Sequence, residues 1–335
     1  MTVFSSRYKN VSKELSIVDE FGKTVLNGKV SCATNDPQIA FEKADLVFIT
    51  IPASCMKTQA EIIVPYLKSS AKICLVPGTG GGEFAFRDAI KKGCTIFGFQ
   101  RVPSVARLVE YGKTVCASGY RDRMHIAAIP MSCAEECATI ISSLLDMPCI
   151  AMPHYLNLTL TPSNPILHTT RLRTIFCNYD SNTVYETLPL FYEDWDLASS
   201  ELLLKCNDEV QNIRKALNDI DLSYVKSLKE HYESEDAVAL TKKIRSISSF
   251  KGLKTPSIQT ERGLLPDFSS RYFTADFMYG LAIFIKIADF LEIKANNMKE
   301  TMNWYTSLVT DDNIFRFEDY GIYTKKDFLD FYDIN

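Results

Sequence analysis

Ala44-Asp45-Leu46-Val47-Phe48-Ile49-Thr50-Ile51-Pro52 is a short apolar run closed by proline. A run of this length, bounded by a turn signal, reads as a buried strand with a loop at its carboxyl end. A short helix, Pro37 to Lys43, precedes it, and a segment with helical apolar spacing, about Cys55 to Leu67, follows it. Ala71-Lys72-Ile73-Cys74-Leu75-Val76-Pro77 is the next strand, Glu83 to Lys91 the next helix, and Thr95-Ile96-Phe97-Gly98-Phe99 a further strand. Strands alternating with helices give an α/β fold, with a Rossmann-like doubly wound parallel sheet. Such sheets bind ligands at the carboxyl ends of their strands. That rule points to Thr50, Pro52, Ala53 and Pro77, with Gly78 beside them.

A dinucleotide fold opens with a strand, a G-x-G-x-x-G turn and a helix whose amino end faces the pyrophosphate. Here the sequence starts Met1-Thr2-Val3-Phe4-Ser5-Ser6-Arg7, which reads as the end of the second strand of that pattern. The first strand and glycine loop are therefore expected to be missing, through a late start in a longer reading frame or a true truncation. Gly78-Thr79-Gly80-Gly81-Gly82 is no substitute, because it follows a later strand with the wrong spacing. It is expected to form a turn with positive φ angles. Ser6 and Arg7, after Ser5, suit a ribose 2′-phosphate, where an acid would favour the bare hydroxyl. This favours NADP over NAD, although an arginine in an ordinary solvated loop fits the same residues.

The chain has 335 residues, more than one core usually serves, so two domains are expected. Residues 1–152 form the N-terminally truncated dinucleotide-binding domain and 153–335 a mainly α-helical domain. With 46% hydrophobic and 23% charged residues the composition is globular, not disordered. A net charge of −4 argues against nucleic acid and an anionic membrane surface as partners. The ten cysteines form no CxxC pair and no Cys/His set with zinc-ligand spacing, so no metal is expected. Cys133 and Cys137, four apart, suit the buried face of a helix. No secretory signal and no apolar run of transmembrane length is present, which suggests a reduced, cytoplasmic protein.

Helical spacing is expected over Leu197–Ile220, starting near Asp196, and over Tyr224–Tyr232 and Asp236–Ile244. Thr274 to Leu291 reads as one buried helix capped by Thr274, with Asp276 in its first turn and Arg271 outside it. Of four histidines, His125 reads as structural, His154 lies at the expected domain junction, and His231 sits on a solvated helix face. His168 follows the turn Ser163-Asn164-Pro165 and an apolar pair. Its spacing suits either a catalytic group or a satisfied core histidine. Asp276 likewise suits either a functional carboxylate or a helix-start acid stabilised by the dipole. A histidine held by a carboxylate is a proton-transfer device near neutral pH.

These segments, in order, resemble the opine (octopine/nopaline) dehydrogenase family over nearly the whole chain. The likeness rests on Thr50-Ile51-Pro52-Ala53, Pro65-Tyr66-Leu67, Pro77 to Asp88, Asn164 to His168, Pro189-Leu190-Phe191-Tyr192-Glu193, Ser249 to Leu253, Pro266-Asp267-Phe268 and Arg271 to Asp276. The resemblance implies NAD(P)H-dependent condensation of an amino acid with a 2-oxo acid through an imine. It implies His168 and Asp276 as catalytic residues, and Arg271, with Asn164, as substrate-binding. A small-molecule amino acid and a 2-oxo acid are the implied partners, with a homodimer allowed. The sequence departs from the family at the missing glycine fingerprint and at Ala275-Asp276-Phe277-Met278-Tyr279. Other readings are a glycerol-3-phosphate or ketopantoate type of reductase, a cofactor-deficient binding protein, and a structural oligomer subunit.

Overall fold

The computed structural model describes residues 1–310 and 313–333. Its strands are β1 Thr2–Phe4, β2 Glu14–Val18, β3 Thr24–Lys29, β4 Cys32–Thr34, β5 Leu46–Ile49, β6 Lys72–Leu75, β7 Thr95–Phe99, β8 Val105–Glu110, β9 Thr114–Ser118, β10 Met124–Ile129, β11 Cys149–Ala151, β12 Ser257–Thr260 and β13 Gly263–Pro266. The main sheet runs β11-β10-β7-β6-β5. β5, β6 and β7 are parallel, with Val47 opposite Ile73 and Ile73 opposite Ile96. Ile73, Leu75 and Ile96 are fully buried, as the unbroken apolar runs required. The helix Pro37–Phe41 enters the parallel section with Asp36 as its cap, accepting from the Gln38 and Ile39 N–H groups.

The sheet is mixed rather than wholly parallel, because β10 runs antiparallel to β7. The chain between them does not pass through a crossover helix. It leaves to build β8 and β9 in a second sheet, β3-β2-β9-β8, and returns with its direction free. β1 and β4 pair in parallel as a separate two-stranded ladder, tied to the core where the Phe4 and Phe41 rings meet at 5.0 Å. In the doubly wound order 3-2-1-4-5-6, β4 and β1 take the places of strands 3 and 2, and β5 to β7 those of 4 to 6. Among the described residues no strand holds the first place. β5 is consequently an edge, and its Phe48 is 40% exposed.

Several helices differ from their sequence readings. Glu83 to Lys91 is two short helices, Gly82–Ala85 and Arg87–Lys91, broken at Phe86, whose ring is buried completely. Of Tyr224 to Tyr232 only Leu228–His231 is helical, because Ser227 and Glu230 form a capping box that starts a helix there. Leu197–Ala216 and Ala237–Ser246 do start at Asp196 and Asp236, whose carboxylates accept the Ser199 and Ala239 N–H groups. Thr274 to Leu291 is not one helix. Arg271–Thr274 is a single turn capped by Ser270, Phe277–Leu281 is a π-helical turn, and Ala282–Phe290 is the α-helix. Thr274 therefore lies inside a helix, and Asp276 lies between elements instead of in a first turn.

One apolar cluster joins the two halves, running from Ile73 and Phe84 through Tyr155, Leu158 and Ile166 to Phe273, Phe284 and Phe328. A smaller one, with Phe97, Ile126, Cys137 and Ile141, seals the other sheet face under the helix Ala134–Leu145. The carboxyl-terminal segment wraps round Phe84, whose ring lies 4.8 Å from Phe331 and 5.0 Å from Phe317. At the centre of the helical half stands Asn164–Ile175, buried on all faces from Ile166 to Leu172. No helix of the described residues is long and apolar enough to cross a membrane.

Candidate active site

His168 projects from the second turn of the central helix, and Asp276 from the bend before the π turn. The two elements approach closely because residue 280 is glycine. A Cβ there would meet Pro165 Cβ at 2.8 Å, closer than real contacts allow. Nδ1 of His168 lies 2.7 Å from Oδ2 of Asp276, across 108 residues of sequence. The two side chains are 4% and 15% exposed. With the carboxylate accepting, Nδ1–H donates and Nε2 is left as the acceptor. That nitrogen is occupied as well, by the hydroxyl of Tyr192 at 2.7 Å. The Tyr272 ring stacks on the imidazole at 4.1 Å and 28°.

Arg171, one helical turn after His168, fixes Tyr192. It is 1% exposed. Its Nε donates to Phe191 O at 3.0 Å and its Nη2 to Asp194 O at 2.6 Å. Nη1 donates to Asp196 Oδ2 at 2.8 Å and Ser199 Oγ at 3.1 Å, and the guanidinium lies 5.4 Å over the Trp195 ring. A buried arginine needs this full set of acceptors. The phenol of Tyr192 then lies flat against Phe250, 4.1 Å between rings. Burial above all, then Tyr272, Tyr232 and Asp276, pushes its hydroxyl well above the ordinary tyrosine range. Tyr272 is raised too, again mainly by burial. Both phenols remain protonated hydrogen-bond donors.

The other sequence candidates fall in three places. Arg271 is exposed, opens the turn Arg271–Thr274 and has no carboxylate partner among the described residues; its charge acts on Tyr272, as does that of Arg107 from β8. Asn164 is the exposed first residue of the central helix. Thr50, Pro52, Ala53 and Pro77 line the carboxyl ends of β5 and β6, and Ser6 and Arg7 follow β1. Arg7 is exposed and lies 5.3 Å over the Tyr111 ring. Gly80 and Gly81 have φ of 82° and 75°, so the glycine run is the expected turn. That turn brings the strand ends to the π turn that follows Asp276. A Cβ on Gly80 would lie 3.3 Å from Ala53 Cβ and 3.7 Å from Tyr279 O, three residues beyond Asp276.

His154 does not join the pair. Its Nδ1 accepts from the Leu156 N–H at 3.0 Å, and burial pushes it down to about 4. Tyr192 and Tyr272 carry no distinguishing spacing in the sequence, and only the packing brings them to the imidazole. Among the described residues, no group of three or more His, Cys, Asp or Glu side chains could hold a metal ion.

The residues at the strand ends fit a nicotinamide cofactor. The helix Ala53–Ile63 begins with no side-chain cap, and its Cys55 N–H donates back to Pro52 O, so the Ala53 and Ser54 N–H groups are open to an anion or amide beside Thr50 and the Gly80 turn. No acid stands among Ser5, Ser6 and Arg7. The glycine-rich pyrophosphate cradle is not among these residues.

Residues 151–309 match the family model for the alpha-helical domain of NAD/NADP octopine/nopaline dehydrogenase. The octopine dehydrogenase of Mizuhopecten yessoensis is 27% identical over 299 residues, covering 84% of this chain and 74% of that protein. The tauropine dehydrogenase of Arabella iricolor is 26% identical over 302 residues, covering 85% and 76%. A solved octopine dehydrogenase with NADH and L-arginine superposes with a TM-score of 0.83 at 24% identity, covering 96% of this chain and 88% of that one. The helical half of the chain thus matches the octopine/nopaline dehydrogenase model, and most of its length is similar to octopine and tauropine dehydrogenases.

Proposed function

We propose that the protein is an NAD(P)H-dependent opine dehydrogenase, in which His168 and Asp276 handle the protons of an amino acid–2-oxo acid condensation. The observation that carries this reading is the buried His168–Asp276 hydrogen bond, set next to the strand-end turn at Gly80. The names of the relatives agree with it: octopine and tauropine dehydrogenases, and a structure holding NADH and L-arginine.

In the forward direction the amine adds to the carbonyl carbon of the 2-oxo acid. The carbonyl oxygen takes up two protons, one from the amine nitrogen and one from a general acid, and leaves as water, giving a protonated imine. The imine carbon is then reduced, for which the bound nicotinamide supplies the hydride. The net reaction consumes one proton and releases one water. His168 provides the proton for the departing oxygen and takes it back in the reverse reaction. Asp276 accepts from Nδ1, holds the ring and steadies its positive form. Tyr192 stands at Nε2, and its ring is held by Phe250 and Trp195. A proton leaving Nε2 therefore passes through the phenol, which accepts from Nε2–H while donating its own hydrogen onward. Arg271, exposed and without a carboxylate partner among the described residues, clamps the oxo acid's carboxylate with its planar fork, and Asn164 offers the substrate an amide. Ser6, Arg7, Thr50, Pro52, Ala53 and Pro77 would hold the cofactor, with NADP favoured by Arg7. Residues 1–152 would bind the cofactor and 153–335 supply the catalytic pair.

The test is oxidation of NADPH or NADH by the purified chain with an amino acid and a 2-oxo acid together, and product mass by spectrometry. The reading expects oxidation only when both substrates are present and a product joined through a secondary amine. Oxidation with the oxo acid alone would indicate a simple ketoacid reductase. Failure to bind either cofactor would favour a non-catalytic binding protein.

A further inference from the structure

Four segments converge beside the start of the central helix. β7 leads into Gln100 and Arg101, and Nη1 of Arg101 donates to Ser163 Oγ at 3.1 Å, one residue before Asn164. The Gln100 N–H donates to His125 O at 2.9 Å, and its Nε2 to Tyr224 O at 3.2 Å. Arg121 folds onto the same loop, its Nε donating to Val102 O at 2.9 Å. The His125 ring lies 5.4 Å from that of Tyr224, two residues before Lys226. Arg101, Arg121, Arg123 and His125 thus come from the first half of the chain, and Lys226 and His231 from the second.

Asp122, between Arg121 and Arg123 in sequence, forms no ion pair with the group among the described residues. Among the described residues, Arg101, Arg121, Arg123 and Lys226 make no ion pair within 4.0 Å. Glu230, an acid near Lys226, directs its carboxylate to the Ser227 N–H and hydroxyl. The cations act on one another. Desolvation, then Arg101, Arg121 and Lys226, pushes His231 down to about 4. Burial, followed by the cations Arg123, Lys226, Arg121 and Arg101, lowers His125. Through the Arg101–Ser163 bond the group touches the start of the helix that carries His168. Buried Tyr232 feels the charge of Arg101 and acts on Tyr192, the residue bonded to His168.

Like charges gathered round the half-buried Arg101 raise the free energy until an anion enters, and arginine forks fit carboxylates. We propose that the cluster centred on Arg101 is a second anion subsite, which takes the side-chain carboxylate of an acidic amino acid or the sulfonate of an aminosulfonate. This rests on the dehydrogenase reading above, in which Arg271 serves the oxo acid. The amino donor is then an acidic amino acid or an aminosulfonate. A cationic donor such as L-arginine is repelled at the same place.

Calorimetric titration of the full chain, with and without NADPH, tests this with L-glutamate, taurine, L-alanine and L-arginine, and with inorganic phosphate as a control anion. L-glutamate or taurine is expected to bind at least about tenfold more tightly than L-alanine, with L-arginine weaker still. Arg101→Gln and, separately, the exposed Lys226→Gln are expected to reduce that preference severalfold. Equal binding of L-glutamate, taurine and L-alanine overturns the subsite. So does a full preference in both variants, or phosphate binding as tightly as the amino acids. If the preference is present but no amino acid and oxo acid pair oxidises NADPH, the reaction assignment fails and the anion subsite stands. If turnover is found with L-arginine favoured, the subsite fails and the reaction stands.

Discussion

Tyr192 and Asp276 grip the same imidazole from opposite nitrogens, each at 2.7 Å. His168 thus has no free nitrogen, and any proton it exchanges at Nε2 meets a phenol first. Tyr192→Phe keeps the ring wedged on Phe250 and removes only the hydroxyl. The expected result is a kcat lower by about ten- to a hundredfold, with KM for the oxo acid little changed. The solvent isotope effect should fall too, since one proton is removed from the path. Steady-state kinetics in light and heavy water check both; an unchanged kcat would show that the hydroxyl is only structural.

Gly280→Ala tests the close approach that builds the pair. The added methyl would meet Pro165 at 2.8 Å and force the π turn away from the central helix. Overpacking of this kind costs about 1–3 kcal/mol. Because Asp276 moves with that turn, kcat should fall further than the loss of stability explains. Thermal denaturation paired with kinetics separates the two effects.

The parallel strands were legible because they rest on local chemistry, whereas β5, read as a buried strand, is an edge with Phe48 40% exposed, and His168 and Asp276 were joined only by the family resemblance. Apolar runs mark β5 to β7, the first two closed by Pro52 and Pro77, and Asp196 and Asp236 announce their helices. The antiparallel β10 was not legible, since its direction depends on a connection through β8 and β9 that no local signal encodes. The π turn at Phe277–Leu281 was also hidden, because its reason is a tertiary contact between Gly280 and Pro165. Tyr192, quoted in the resemblance without a role, gains its place for the same cause: Arg171 fixes it through backbone carbonyls of residues 191 and 194.

Arg271→Ala should raise KM for the 2-oxo acid by about tenfold or more, the worth of one charge-assisted contact. Its effect on the KM for the amino acid should be smaller. Titrating each substrate at saturating levels of the others checks this, and an unaltered oxo-acid KM would remove the clamp.

Glu83 gives a pH-dependent prediction away from the site. It is fully buried, with Oε1 accepting from Thr159 Oγ1 at 2.6 Å and from the Tyr332 hydroxyl at 3.1 Å, while Oε2 has no partner. Burial raises its carboxyl from 4.5 to about 7, against smaller opposing hydrogen bonds. Folding therefore favours the protonated acid. Its contribution is complete below pH 4.5 and is lost as pH rises through about 7. The loss is at most roughly 3 kcal/mol. Glu83→Gln should be free of it, so the Tm of the variant should gain on wild type between pH 5 and pH 8. Differential scanning calorimetry at both pH values decides, and a constant gap would contradict the assignment.

The central claim is that His168, held by Asp276, moves the protons of imine formation. Its most direct measurement is NADPH oxidation in the presence of amino acid and 2-oxo acid by wild type and by His168→Gln, with cofactor affinity followed by nicotinamide fluorescence. The account predicts a loss of turnover of about a hundredfold or more with cofactor binding retained. Turnover at the wild-type rate in the variant would contradict it.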